Sequence, residues 1–316
     1  MALGMRIVSL LPSATEIVCS LGLADALVGI SHDCDYPPEI RSRPALSQAI
    51  VTTDLPSGLI ETRIRDQIHR GMSVYHLDET ELARLRPGLI LTQELCQVCA
   101  PSYTLVKQAA KILEAEARIA SLEPTGLAGI LDNILLVGEM TGTLDRARAV
   151  VDDLHRRIKA VRSAVSGRPR PRVVAIEWLD PMYVGGHWVP EMVEIAGGED
   201  IFGKAGEPSF VVEWDRVLEA QPDVVVVMPC GLDITRTRRE IGLLTGLPGW
   251  KDLPAVRAGR VYLTDASAYF NRPGPRIVTG LEILAFILHP GSLSAPIPAQ
   301  SVEKLSSEAC EPSRKP

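Results

Sequence analysis

The sequence predicts an α/β protein of two related lobes with parallel sheets, joined by a long helix, with a cleft between the lobes. Three observations lead there. Apolar runs of strand length alternate with segments of helical spacing, as in parallel sheets with crossover helices. The two halves share one grammar: residues 82–92 read as helix end, Pro-Gly break and strand, and residues 217–227 repeat the order around Gln221-Pro-Asp223. Between them, residues 125–165 are compatible with helix almost throughout. A length of 316 residues suits two domains of ordinary size.

The elements follow in order. Residues 6–11 form a first strand, and Ser13-Ala-Thr-Glu16 reads as a capping box for a helix that carries Ile17, Val18 and Leu21 and stops at Gly22. Residues 27–30 form a second strand, leading into Ser31-His-Asp-Cys34-Asp-Tyr-Pro-Pro38, which its two prolines mark as a loop. Helical spacing recurs at residues 60–70 and 79–85, and strands are expected at 89–92 and 118–122. In the stretch that follows, Gly126, Gly129, Gly138 and Gly142 interrupt, while residues 144–165 are amphipathic and suited to a rigid connector. A new strand series begins at residues 172–178, continues at 224–228 and 260–264, and is closed by a helix at 275–288. Beyond Gly291 the chain is Ser, Pro, Ala and charge, the composition of a disordered tail. The expected division is therefore 1–124 for the first lobe, 125–166 for the connector, 167–290 for the second lobe and 291–316 for the tail.

Composition removes several classes of function. With 46% hydrophobic and 23% charged residues the chain is globular, and 33 basic against 39 acidic residues leave a formal charge of −6. No basic, aromatic-interleaved face for nucleic acid is present. No apolar run reaches membrane-spanning length, so membrane insertion is not expected. Met1-Ala-Leu-Gly-Met5 runs straight into the first strand without a basic region, an apolar stretch or a cleavage site, which points to the cytoplasm. No glycine-rich phosphate loop opens a helix, and Ser13 lacks the glycines of a nucleophile elbow.

The six cysteines would then sit in a reducing compartment, where metal binding or redox chemistry outranks structural disulfides. Ligands of open parallel sheets lie beyond the carboxyl ends of the strands. Cys34, Cys96, Cys99 and Cys230 all fall a few residues past such an end, whereas Cys19 lies in the first helix and Cys310 in the tail. Four thiolates suit an iron–sulfur cluster or zinc. A redox pair at Cys96 and Cys99, or small buried thiols that simply pack, are the other readings. Beside this constellation, His32 is a candidate ligand or acid–base group. His187 and Trp188 follow two glycines that allow close approach to a ligand, and Tyr269, Phe270 and Arg272 are placed to line the cleft from the second lobe.

Residues 6–20 with their strand-Leu-Pro-Ser-Ala-Thr-Glu turn, the Gln221-Pro-Asp-Val strand entry, the 191–198 segment ending in Ala-Gly-Gly, and Arg272-Pro-Gly-Pro-Arg276 before the final helix carry a resemblance. Over roughly residues 5–290 the chain resembles the cobalamin and iron-siderophore solute-binding proteins of ABC importers, which have the class III periplasmic-binding-protein fold. Its lack of a leader and its extra cysteines set it apart as a cytosolic-looking branch. The resemblance implies two Rossmann-like lobes joined by one long helix, with a ligand held in the cleft between them. Taken with the cysteine constellation, this points to a solute-binding-type protein holding a metal centre (an iron–sulfur cluster or zinc on the four cysteines) or a metal complex such as cobalamin there. Two alternatives stay open. One is a metal-dependent enzyme acting on a small ligand at an open coordination position beside His32 or His187. The other is a cobalamin-binding importer subunit whose signal peptide is missing, with an ABC permease as partner only if the chain is exported.

Overall fold

The computed structural model describes residues 4–70, 72–93, 117–294 and 296–306. The first lobe is built on β1 (Ile7–Ser9), β2 (Leu27–Ile30), β5 (Leu89–Thr92) and β6 (Arg118–Ser121), in the order β2-β1-β5-β6 with every pair parallel. A separate antiparallel pair, β3 (Ser47–Ala49) and β4 (Tyr75–Leu77), flanks it. In the second lobe, β7 (Arg172–Trp178), β11 (Val224–Val227) and β12 (Val261–Thr264) are parallel. The short strands β8 (Tyr183–Val184), β9 (Glu199–Asp200) and β10 (Phe210–Val211) lie on the β7 side.

Both sheets are buried on both faces, which is why their central strands read as unbroken apolar runs. Four consecutive valines make β11, and all are buried. The period of two sends alternate side chains to different cores. Val225 and Val227 pack under the outer helices of the second lobe, whereas Val224 and Val226 join Ile7, Leu89 and Leu91 of the first lobe in one cluster. That shared cluster is carried by the helices Leu127–Thr141, Leu144–Val165 and Ile277–Leu288.

The connector is a helical hairpin, not a single rod. Gly142, at φ +70°, caps the Leu127–Thr141 helix in the left-handed region, and a Cβ at Gly138 would strike Ala147 on the returning helix. The returning helix, Leu144–Val165, has 22 residues and spans about 33 Å. Arg157 ties it to the final helix through Glu282 (2.9 and 2.7 Å) and the Thr279 hydroxyl (2.9 Å).

Two expectations are corrected. The first helix begins at Pro12, so Ser13 lies inside it and caps nothing; proline's fixed φ suits the first helical position, and Glu16 is drawn away to Arg276. The expected tail is ordered over part of its length, because β13 (Val302–Lys304) pairs antiparallel with β12. Without it, β12 would present an open row of backbone donors and acceptors. Ser301 and Leu305 are buried as the strand docks. Among the described residues, no helix is long and apolar enough to cross a membrane.

Asp200, at the end of β9, shows how tightly the second lobe closes. Its Oδ1 accepts from the amides of Phe202 (3.1 Å) and Gly203 (2.7 Å), while Oδ2 is buried without a hydrogen-bond partner. Burial pushes its pKa up to about 6. A carboxyl raised in the folded state contributes stability below its unfolded pKa and loses it as pH rises through the folded value. Thermal unfolding between pH 4 and 7, the window these values set, is therefore expected to show a decline in the wild type that Asp200→Asn reduces; identical pH profiles would contradict it.

Candidate functional site

The carboxyl ends of the parallel strands in both lobes open into one crevice, the position where open α/β sheets bind ligands. Here the loop after β2 supplies Asp35, and the segment after β3 supplies Thr53 and Asp54. Opposite them, the loop after β11 supplies Asp233, the helix Ile234–Glu240 supplies Arg236 and Arg239, and the turn after β12 supplies Asp265. The cavity between these walls measures about 390 Å³.

Its carboxylates are held by the backbone. Asp233 accepts from the Arg236 amide (2.7 Å) at the start of its helix, and Asp265 accepts from the Ala268 amide (3.0 Å) in the same way. Both residues also line the cavity. Burial raises the Asp265 pKa, and the charge of Asp233 adds to the effect.

The inner wall is an ionic cluster that crosses the lobes. Glu16, 4% exposed, receives two hydrogen bonds from Arg276 (3.0 and 2.6 Å) and lies 3.7 Å from Arg272. Arg272 pairs with both carboxylate oxygens of Asp35 and donates to the Asp33 carbonyl (3.2 Å) and the Ser267 hydroxyl (3.2 Å). The Arg276 guanidinium lies 4.0 Å from the ring centre of Tyr36, in the first lobe, and 5.5 Å from that of Tyr269 in the second. Burial raises the Glu16 pKa against the pull of both arginines. At Asp35 burial also pushes upward, but Arg272 outweighs it and holds the carboxyl below its ordinary range.

The outer wall also crosses the lobes. Arg236 donates to the carbonyls of Thr53 (2.8 Å) and Leu55, and Glu240 accepts from the Ser57 amide at 3.1 Å through each oxygen. The Tyr183 hydroxyl donates to Glu61 at 3.2 Å nearby.

The candidate residues from the sequence divide sharply. Arg272 and Tyr269 are engaged in the inner cluster, behind Asp35 and Ser267, which line the cavity. His32 has both ring nitrogens occupied, Nδ1 with Ser47 Oγ (2.9 Å) and Nε2 with Asp33 (3.4 Å). Phe270 is fully buried, and Trp188 is buried with its indole N–H donating to the Phe270 carbonyl (2.7 Å), so both are core residues. His187 leaves the cleft because β8 runs antiparallel to β7 and carries the chain toward the opposite end of the sheet. The glycines before His187 accommodate protein, not ligand: a Cβ on Gly186 would collide with the Ser209 amide. The Nδ1 of His187 is buried without a hydrogen-bond partner, and burial lowers its pKa.

The cysteines do not assemble a metal centre among the described residues. Cys34 points into the shared core at 4% exposure, with Thr15 Oγ1 at 3.0 Å, and burial pushes its thiol up to about 12. Cys230 is exposed, Cys96 and Cys99 lie outside the described residues, and no described group of three His, Cys, Asp or Glu side chains could hold a metal.

Breaking a buried ion pair by removing one partner strands the other charge. Arg276→Ala is expected to lower stability by about 3–5 kcal/mol, and pairing Glu16→Met with Arg276→Met to recover most of that loss. Urea unfolding midpoints measure both, and an unchanged midpoint in Arg276→Ala would contradict the cluster.

Comparison with known proteins agrees with this architecture. Residues 7–268 match the family model described as periplasmic binding protein. The chain is 24% identical over 280 residues to the vitamin B12-binding protein of Vibrio cholerae serotype O1, covering 88% of this chain and 86% of that protein. It is 25% identical over 291 residues to the cobalamin-binding protein of Halobacterium salinarum, covering 90% of this chain and 69% of that one. Among solved structures, the periplasmic heme-binding protein RhuT from Roseiflexus sp. RS-1 superposes with a TM-score of 0.69 at 23% identity, over 92% of this chain and 99% of that one. The periplasmic vitamin B12 binding protein BtuF of Vibrio cholerae gives 0.63 at 23% identity, over 90% and 96%. The family match runs from the first strand into the cleft-lining turn after β12, and the chain belongs to the periplasmic binding protein family.

Proposed function

We propose that the protein binds a cobalamin-like metal complex in the interlobe cleft, gripping its periphery and not its metal. The observation that carries this reading is the lining: Asp35, Asp54, Asp233 and Asp265, two of them held as helix caps, share the cavity with Arg236 and Arg239. A corrinoid is ringed by carboxamides, whose N–H groups match aspartates and whose carbonyls match arginines. Heme asks for something else, an apolar slot and an axial His, Cys, Met or Tyr. Among the described residues that line the cavity, none is of those four types. The similarity to proteins named for vitamin B12 and cobalamin, along most of this chain, supports the same choice.

Within this proposal the four-cysteine iron–sulfur or zinc centre, and the enzyme reading built on it, give way to solute binding. A cytoplasmic location is also part of the proposal and rests on the six cysteines. Release of the protein by osmotic shock of the source cells would overturn that part and make a permease the natural partner.

Isothermal titration with cyanocobalamin, hemin and a ferric hydroxamate tests the ligand. Saturation by cyanocobalamin at one per chain is expected. Arg239, exposed and without an ion pair or hydrogen bond among the described residues, is expected to act on ligand alone. Arg239→Ala should weaken binding about tenfold, or 1.4 kcal/mol, without moving the unfolding midpoint. Saturation by hemin alone would reject the reading. Stoichiometric iron and sulfide in anaerobically purified protein would return the cysteines to the centre of the argument.

A further inference from the structure

We propose that Arg236 and Glu240 form a latch holding the loop at residues 50–56 across the mouth of the cleft, and that this latch opens to admit ligand while the Glu16 cluster stays closed. The inference rests on the reading above for its ligand. Thr53 and Asp54 of this loop line the cavity opposite Asp233 and Arg239, so lifting the loop widens the cleft. The two walls differ in what holds them.

The inner wall is buried against the core shared by both lobes, and its arginines are met by several acceptors at once. Moving it would expose apolar surface and strand buried charge. The outer wall rests mainly on Arg236 and Glu240, with the Tyr183–Glu61 hydrogen bond beside them. Arg236 binds the first lobe through main-chain carbonyls, those of Thr53 and Leu55, and Glu240 through the amide of Ser57 at the first turn of the helix Ser57–His69. The pair is joined at 3.0 Å and only 12% and 13% exposed. Behind the latched backbone there is little apolar anchorage: Thr52, Thr53, Asp54 and Pro56 are exposed. Breaking the latch therefore costs few contacts beyond its own hydrogen bonds.

The part that moves follows from what pins each side. The helix bearing Arg236 and Glu240 is held within the second lobe by the Asp233 cap, by the Thr237 hydroxyl donating to the Asp233 carbonyl (2.8 Å) and by the Arg238–Glu303 ion pair to β13. The 50–56 loop is pinned within the first lobe at its ends, by the Ile50 amide on the Val74 carbonyl (3.0 Å) and by the Pro56 carbonyl on the Leu59 and Ile60 amides (2.9 and 3.0 Å), and it carries Thr53 and Asp54 away from the cavity when its middle lifts.

Hydrogen exchange on the full chain without ligand tests the latch directly. Arg236→Ala and, separately, Glu240→Gln are expected to raise exchange at the amides of residues 52–58 roughly tenfold while leaving Leu144–Val165 unchanged. Wild-type exchange at 52–58 in both variants would overturn the proposal, and so would faster exchange throughout the chain. Stopped-flow mixing with cyanocobalamin adds a second readout, in which both association and dissociation quicken in Arg236→Ala. Wild-type protein that fails to bind cyanocobalamin would reject the ligand assignment, while the exchange experiment still decides the latch.

Discussion

The apolar core that runs from the first sheet, through the paired connecting helices, into the second sheet is the constraint on which the cleft depends. Because Ile7 and Val224 belong to the same cluster, the two sheets cannot turn freely about one another without uncovering it. Their carboxyl ends are thereby held face to face. Polar loops that would elsewhere meet only solvent meet each other here, and a crevice lined by charge results.

Charge at that junction needs partners from both sides. Glu16 is a first-lobe helix residue whose nearest cations, Arg272 and Arg276, both come from the second lobe. A buried carboxylate without them would be costly, so the cluster selects one relative placement of the lobes more than it adds net stability. The packing of Gly274 against the Ser13 backbone serves the same end, since a side chain there would crowd the first helix and lift both arginines away. The inner wall is thus fixed by geometry and charge together, leaving adaptability to the outer wall.

Much of the fold was legible because double burial writes itself into sequence. The strands Leu89–Thr92 and Val224–Val227 are apolar on both faces and stand out from any surface helix. The two-residue strands β8, β9 and β10 carry no such period and were invisible. The Ser13–Glu16 capping pattern misled because Pro12 and Arg276, one local and one distant, both outcompeted it. For the site, the rule that ligands lie past strand ends identified the right loops but not the depth of each side chain. Cys34 obeys the rule in position and turns inward, whereas Asp35, its neighbour, faces the cleft. Asp233 and Asp265 stood at the same strand ends, and their role as helix caps was the signal available for them.

The strand that seals the edge of β12 also has a consequence in time. β13 follows every other described strand in chain order, so it leaves the ribosome after them. Until it arrives, the nascent second lobe exposes the outer edge of β12, a template for any passing extended segment. The same interval leaves Arg238 without Glu303, and the helix that closes the cleft without its outermost tether. Synthesis therefore completes the second lobe from its central strand outward, and a translational pause before residue 302 would leave a protein with a formed core but an unguarded flank.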